Sequence, residues 1–336
     1  MKNILITGGA GYIGSHVVKM LGRQGYTVVT LDNLSKGFRG AVTAGKLVIG
    51  DTGDHNVVSH LLEDYEIDSV IHFAAWTVVP ESVSDPLKYY RNNTINAASL
   101  IEACVAHGVK NFIFSSTAAV YGTPNASICD ERIATQPINP YGWSKMMAEQ
   151  ILRDACAASS MRHVILRYFN VAGTDPESEI GQSTQNATLL IKVACEAAVG
   201  MRNGVEIFGT DFPTRDGTGI RDYIHVQDLA EAHVLALKYL AGAGESVTLN
   251  CGYGRGFSVR EVLDVVERLN GAPINVRQSE RRPGDPAELI ADSSALRRLL
   301  NWQPRHDNLE SIVATSLAWQ RKIRDGLVVD GKSVRD

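Results

Sequence analysis

Tyr141 and Lys145, in the stretch NPYGWSK, stand four residues apart, a spacing that puts two side chains on one face of a helix. Asn139 suits the capping position of such a helix and Pro140 its first turn, so Tyr141 falls in the first turn and Lys145 one turn later. A phenol titrates near pH ~10 when left alone; an ammonium beside it favours the phenolate and brings it toward the range of a general base. The spacing alone carries little weight, because a chain of this composition contains a Tyr-x-x-x-Lys about one time in three by chance. Position adds the weight. The run NFIFSS leads through Ser115 and Ser116 to Thr117, and hydroxyls at the carboxyl end of a strand lie where a parallel sheet takes its ligand. Thr117 can share or relay the proton.

A second constellation lies at the start of the chain. After the run NILI comes TGGAGYIG, which satisfies both Gly9-x-Gly11-x-x-Gly14 and the wider Gly8-x-x-Gly11-x-x-Gly14. Glycines at these places let the backbone turn tightly, approach a pyrophosphate and pack the next helix on the sheet, whose N-terminal amides attract the anion. A second run, TVVTL, ends at Asp32, about 20 residues on, where a carboxylate binds the adenosine ribose. Asp32 repels a 2′-phosphate, so NAD is favoured over NADP despite Lys36 and Arg39 nearby. Asp51, at the end of VIGD, can cap the adenine amino group or serve as a plain turn residue. An oxidised nicotinamide near Tyr141 would push the phenol the same way as Lys145 does.

The elements that must position these groups follow from the rhythm of the chain. NILIT, TVVTL, KLVIGD, SVIHFAA, NFIFSS and HVILRY alternate with segments of helical periodicity, the pattern of a parallel sheet covered on both faces by crossover helices. The fold class is α/β, a Rossmann-type doubly wound parallel sheet with a smaller mixed α/β C-terminal substrate lobe. Residues 1–170 form the dinucleotide-binding part and residues 171–336 mainly the substrate lobe, with segments near 224–250, TLN among them, returning to the first sheet. In the second part, helical patterns run over 187–201, 226–240 and 259–270, among the short strands VEIF, SVTLN and INVRQ.

The bulk properties fit this reading. A chain of 336 residues with 44% hydrophobic and 21% charged residues is ordinary for a globular enzyme, and a net charge of -4 lacks the basic excess of a nucleic-acid binder. No apolar run approaches the ~20 residues that span a bilayer and no signal-peptide pattern opens the chain, so a cytoplasmic location and no membrane partner are expected. The five cysteines are odd in number and lack a C-x-x-C pair; reduced thiols and no metal site are expected.

The succession TGGAGYIGSH, LDNL, HFAA, SSTAAVYG, NPYGWSK, RYFNVAG and DGTGIRDYIHVQDLA, closed by RRPGDPAELIAD, resembles the UDP-glucose 4-epimerases of the extended short-chain dehydrogenase/reductase family. The early motifs mark the extended family; the last two mark the sugar-nucleotide 4-epimerases. The resemblance implies that Tyr141 is the base, Thr117 the second hydroxyl, and Lys145 the residue that lowers the phenol pKa and holds the nicotinamide ribose. Proton and hydride then leave C4, a 4-keto sugar turns in the pocket, and the hydride returns to its other face, with NAD retained and no net redox change.

Further residues take roles by the same resemblance. Gly8, Gly11, Tyr12, Ile13, Gly14, Asp32, Asn33, Asp51, Phe73, Ala74, Asn92 and Tyr168 join Tyr141 and Lys145 around the cofactor. Asn170, Leu190, Phe208, Arg221, Arg282 and Asp285 join Thr117 around a UDP-sugar, the two arginines forking onto the diphosphate. Each arginine taken alone is as well explained by a solvated surface pair. Helices over 86–107 and 141–159 are the usual pairing surface, which implies a homodimer.

Three positions depart from family patterns: Thr77 where some members carry a lysine near the pyrophosphate, Leu189 where Asn or His is frequent, and Leu289 where some carry an aromatic at the sugar pocket. They leave UDP-N-acetylglucosamine or a UDP-pentose open beside UDP-glucose and UDP-galactose. Packing is the plain explanation of Leu289. Ala118 and Ala119 follow Thr117 where 4,6-dehydratases and sugar-acid decarboxylases carry acidic groups, which disfavours both. Asp32 opposes the NADPH exchange of a reductase, and a dinucleotide-sensing regulator has no use for Thr117, Tyr141 and Lys145 together.

Overall fold

The computed structural model describes residues 3–282 and 284–334. Seven strands build the main sheet: β1 Asn3–Thr7, β2 Thr27–Asp32, β3 Lys46–Ile49, β4 Ser69–His72, β5 Asn111–Thr117, β6 Arg162–Tyr168 and β7 Val247–Cys251. All pairs are parallel, in the order β7-β6-β5-β4-β1-β2-β3. Order reverses between β1 and β4, the crevice where such sheets bind ligands. The continuous apolar runs are explained by two cores. Ile4 and Ile6 pack with Val17, Val18, Leu21, Leu229 and Leu237 on one face. Leu5 between them packs with Val29, Val58, Leu100, Phe112 and Leu152 on the other. A strand alternates its side chains, so a run apolar at every position needs cover on both sides.

The return of the chain to this sheet is realised. Val247–Cys251 pairs with β6, Val247 opposite Val164 and Cys251 opposite Tyr168, and the helix Val226–Ala241 packs on the helix Tyr12–Arg23. The remaining strands are short. Ile220–His225 lies between Gly256–Ser258, Glu288–Ala291 and Asn170–Ala172, and Val205–Phe208 pairs with Val276–Ser279. Two aspartates of the DGTGIRDYIHVQDLA stretch hold these loops together. Buried Asp222 accepts from the backbone of Tyr253 (3.0 Å), Gly254 (2.9 Å) and Ala291 (3.2 Å); burial raises its pKa to about 6. Asp228 accepts from the Tyr253 hydroxyl at 2.6 Å and the amides of Arg305 and His306.

Boundaries differ from the sequence pattern where capping decides them. The helix expected over 187–201 spans Leu190–Ala198, with Leu189 in extended conformation at its cap and no side-chain acceptor for the first amides. The segment 86–106 is helical throughout but takes a π-helical form over Tyr90–Ile95, a widening that periodicity does not reveal. The helix bearing the Tyr-x-x-x-Lys pair starts as expected: Asn139 accepts from the Gly142 amide at 2.9 Å and Pro140 takes the first turn.

Candidate active site

The glycine stretch joins β1 to the helix Tyr12–Arg23. Gly8 has φ +71°, and a Cβ there would come within 2.5 Å of the Ala74 nitrogen; one at Gly14 would collide with the Gly8 carbonyl. No side chain caps the helix, since Gly11 occupies the capping position. Its first amides therefore remain available to an anion, as the expected pyrophosphate requires. Ile13, half-buried, packs on the core beside Tyr12, whose hydroxyl donates to the Gly173 carbonyl at 2.6 Å.

Asp32 ends β2 with one oxygen on the Ala10 amide (3.0 Å) and the other on that of Leu34 (2.8 Å), which aims the carboxylate at the crevice beside the glycine loop. Burial raises its pKa and the two amides oppose that rise. Asp51 is held by Asn33 (2.9 Å), Asn96 (2.8 Å) and the Gly53 amide (2.8 Å); the structure thus links Asp51 to Asn33, both expected around the cofactor. Phe73, on the other side, tilts against His233 with ring centres 4.7 Å apart. Glycines, open helix end and acidic strand end form one cradle, and the residues present fit a dinucleotide without a 2′-phosphate.

At the carboxyl end of β5, the Thr117 hydroxyl lies near enough to Tyr141 to favour its ionised form, and both are buried. The Thr117 hydroxyl also accepts from the Ala119 amide at 3.1 Å. Lys145, 2% exposed, donates to the Ser115 carbonyl at 2.9 Å and lies 4.8 Å from the Phe114 ring centre. Ser115 in turn donates to the Tyr168 hydroxyl at 2.9 Å. Ser115 and Thr117 of one strand thus both serve the expected constellation.

One expectation needs correction. The Tyr141 pKa is raised, not lowered: burial outweighs the effect of the Thr117 hydroxyl. Lys145 is itself pulled down to about 7 by burial, against the pull of Glu149. A buried ammonium is a weak aid to ionisation when its own charge is disfavoured. Asn92 donates to Asn93 at 2.9 Å, and Asn93 is bonded to both backbone groups of Trp76 and to Ser144.

The residues expected around the sugar nucleotide are more dispersed. Asn170 begins its strand opposite Tyr223, Leu190 opens its helix half-buried, and Phe208 ends its strand opposite Ser279. Arg221 donates to the Ile220 carbonyl at 2.9 Å, and desolvation lowers its pKa despite Asp285 nearby. The Arg282 guanidinium stacks 4.7 Å from the Phe208 ring centre while its Nε bonds Asp285 at 2.8 Å. These four residues form one cationic patch. Leu289 sits opposite Arg221 and packs with Ala118, Val120 and Tyr121, so it borders the strand end that carries Thr117. Leu189 and Thr77 are exposed. Beside Thr77, Lys88 and Lys36 lie 3.8 and 5.4 Å from the ring centre of Trp76, which puts positive charge next to the position that lacks it.

The chain matches the NAD dependent epimerase/dehydratase family over residues 4–252. It belongs to that family. It is 53% identical to the UDP-glucose 4-epimerase of Azospirillum brasilense over 325 residues, 96% of this chain and 93% of the relative. The crystal structure of UDP-glucose 4-epimerase from Brucella ovis in complex with NAD superposes with a TM-score of 0.93 at 43% identity, with all of both chains covered. The UDP-Glc/GlcNAc 4-epimerase of Campylobacter jejuni gives 0.85 at 47% identity, covering 96% of this chain and 100% of that one. Membership in an NAD-dependent family agrees with the cofactor read from the glycines and Asp32.

Sequence reasoning missed the polar groups beyond Tyr141 and Lys145. Glu149, wholly buried, accepts from Ser116 at 2.5 Å, from Arg167 at 3.0 and 2.7 Å and from Arg153 at 2.7 Å. It continues the Tyr141, Lys145 series by one more turn, a spacing signal present in the sequence. Its partner Arg167 comes from β6, and that pairing has no local signature.

Proposed function

We propose that the chain is an isomerase that interconverts the C4 epimers of a UDP-hexose, UDP-glucose and UDP-galactose in the first instance, with retained NAD. The carrying observation is Lys145 bonded to the Ser115 carbonyl one turn beyond Tyr141, with the Thr117 hydroxyl placed to favour the Tyr141 phenolate, at the end of the strand leading into the glycine crevice, with alanines 118 and 119 beyond it. Gly8, Gly11, Tyr12, Ile13, Gly14, Asp32, Asn33, Asp51, Phe73, Ala74, Asn92 and Tyr168 hold the cofactor together with Tyr141 and Lys145. When bound, NAD supplies a hydride acceptor at C4 that later serves as the donor.

Tyr141 takes the proton of the C4 hydroxyl and returns it, and the neighbouring Thr117 hydroxyl can share or relay it. Burial raises the Tyr141 pKa, so the positive charge that a bound nicotinamide would supply, beside that of Lys145, is what would bring the phenol into range. Arg221, Arg282 and Asp285 grip the nucleotide end, and Asn170, Leu190 and Phe208 line the sugar and uracil. A firm hold on the diphosphate with few contacts to the hexose lets the 4-keto sugar turn. Residues 1–170 with 224–250 form the cofactor part and the rest the substrate lobe.

A second substrate, UDP-N-acetylglucosamine, is favoured by Leu289, which is smaller than an aromatic beside the Thr117 strand end, and by the likeness to the Campylobacter jejuni enzyme, whose name covers both sugars. A homodimer is supported by apolar side chains exposed along the helices expected to pair, Leu87, Ile95, Trp143 and Met147. Among the described residues no helix is long and apolar enough to cross a membrane, which accords with a cytoplasmic location. The test is to purify the protein without added cofactor, measure released NAD, and supply UDP-galactose, UDP-N-acetylgalactosamine and UDP-xylose separately. Interconversion without NADH accumulation is the expected result; a 4-keto-6-deoxy product overturns the reading.

A further inference from the structure

Glu149 carries a charge in the interior, and nothing in the reaction above uses it. It is 0% exposed and stands one turn beyond Lys145 on the same helix. Its carboxylate is the meeting point of three elements: Ser116 from β5, Arg167 from β6 and Arg153 from its own helix. The three consecutive residues at the end of β5 each meet a different turn of that helix. The Ser115 carbonyl takes Lys145, Ser116 donates to Glu149, and the Thr117 hydroxyl faces Tyr141 closely enough to favour its phenolate. Burying a carboxylate costs several kcal/mol unless it is paired and hydrogen-bonded, so a packing role alone would be met more cheaply by an apolar side chain.

From this geometry, and resting on the function proposed above, we infer that Glu149 is a positioning residue: it fixes Ser116, and so the reach of Thr117 and Ser115, and its negative charge sustains the ammonium of Lys145. The groups facing Lys145 leave few other candidates. On its own helix are Tyr141 and Glu149. His72 of β4, whose ring is bonded to Thr7 at 2.6 Å, is kept neutral, its pKa lowered to about 3 by burial and by Lys145. Tyr168 of β6 is a phenol held well above its ordinary value. Ser115 offers only dipoles. Arg167 and Arg153, beyond Glu149, are both cationic; without the carboxylate, Lys145 would face an interior with positive charge alone.

The test uses ultraviolet difference titration of tyrosinate in the NAD-loaded protein, parent minus Tyr141→Phe, which reports Tyr141 ionisation without turnover. In Glu149→Gln, which keeps size and hydrogen bonding but not charge, the Tyr141 step moves up by about half a pH unit or more, provided the bound cofactor brings that step to the range near 7 where Lys145 titrates, because Lys145 then loses its proton first and no longer favours phenolate; a downward move, the direct effect of losing a negative charge, overturns the inference. The pH profile of kcat moves with it. Arg153→Met, at the half-exposed end of the cluster, moves the step down, since Glu149 is then less neutralised. Opposite signs are the expected result. Lowered thermal stability in both variants with an unmoved Tyr141 step overturns the inference and leaves Glu149 a structural brace. If Glu149→Gln does not fold, Arg153→Met decides the question alone: an unmoved step overturns it. The titration needs no substrate, so it stands apart from failure of the epimerase reading, which appears as absent turnover in the parent.

Discussion

The two halves of the site are built from different materials. On the cofactor side the shape is made by backbone: Gly8 and Gly14 leave a hollow that no side chain could share, Gly11 leaves the helix start uncapped, and Asp32 is fixed by two amides. On the nucleotide-sugar side it is made by long charged side chains, Arg221 against carbonyls and Arg282 stacked on Phe208 and bonded to Asp285. A backbone cradle fits one ligand and tolerates no change. Flexible guanidiniums can follow a ligand and lose affinity by degrees. A retained cofactor and an exchanging substrate call for this division.

The comparison can be broken most sharply where the two halves meet. Tyr141→Phe is expected to lower kcat by about 10²–10⁴ with little change in KM, measured with UDP-galactose; full activity would show that the base lies elsewhere. On the cofactor side, Gly14→Ala drives a methyl into the Gly8 carbonyl, and the purified variant is expected to release little or no NAD on denaturation. On the substrate side, Arg221→Met is expected to raise KM by about 10-fold or more, the value of a lost charge-assisted hydrogen bond, with NAD content unchanged. Loss of NAD there would erase the division.

Lys145 gives a smaller effect with a definite sign. Burial holds its pKa at about 7 against an ordinary 10.5, so between those values the unfolded chain binds more protons than the folded one and stability rises with pH. The penalty is present in full below pH ~7. Lys145→Met should therefore lose activity yet melt a few degrees higher at pH 6, the gain fading toward pH ~10; equal melting at both pH values would contradict the assignment. The smallest change is expected from Leu289→Tyr, a few-fold shift in kcat/KM away from UDP-N-acetylgalactosamine relative to UDP-galactose.

The same contrast explains what the sequence disclosed. The β-α rhythm and the glycine spacing are local patterns, and β1 to β6, the return at Val247–Cys251 and the capping by Asn139 all correspond to them. The Tyr141 to Lys145 pair was legible as well, but its electrostatics were not: an expected drop in the phenol pKa became a rise, because depth of burial is a property of the whole fold. Glu149 with Arg167, and Arg282 on Phe208, join residues 18 and 74 positions apart. Pairings of that kind are set by strand order and loop docking, which leave no periodic trace. Leu189 marks the middle ground: an uncapped helix start is readable from one residue, but the pattern over 187–201 ran past it.

The late strand Val247–Cys251 fixes the limits of dissection. It forms one edge of the main sheet, paired with Arg162–Tyr168 and covering the edge that this strand would otherwise expose, and the helix before it covers the face that bears Ile4 and Ile6. A fragment ending at residue 170, although it carries every glycine of the cradle and the whole Thr117, Tyr141 and Lys145 set, would present an open strand edge and a bare apolar face, a template for aggregation. Such a fragment is expected to be recovered in inclusion bodies, and to become soluble only when residues 226–251 are supplied.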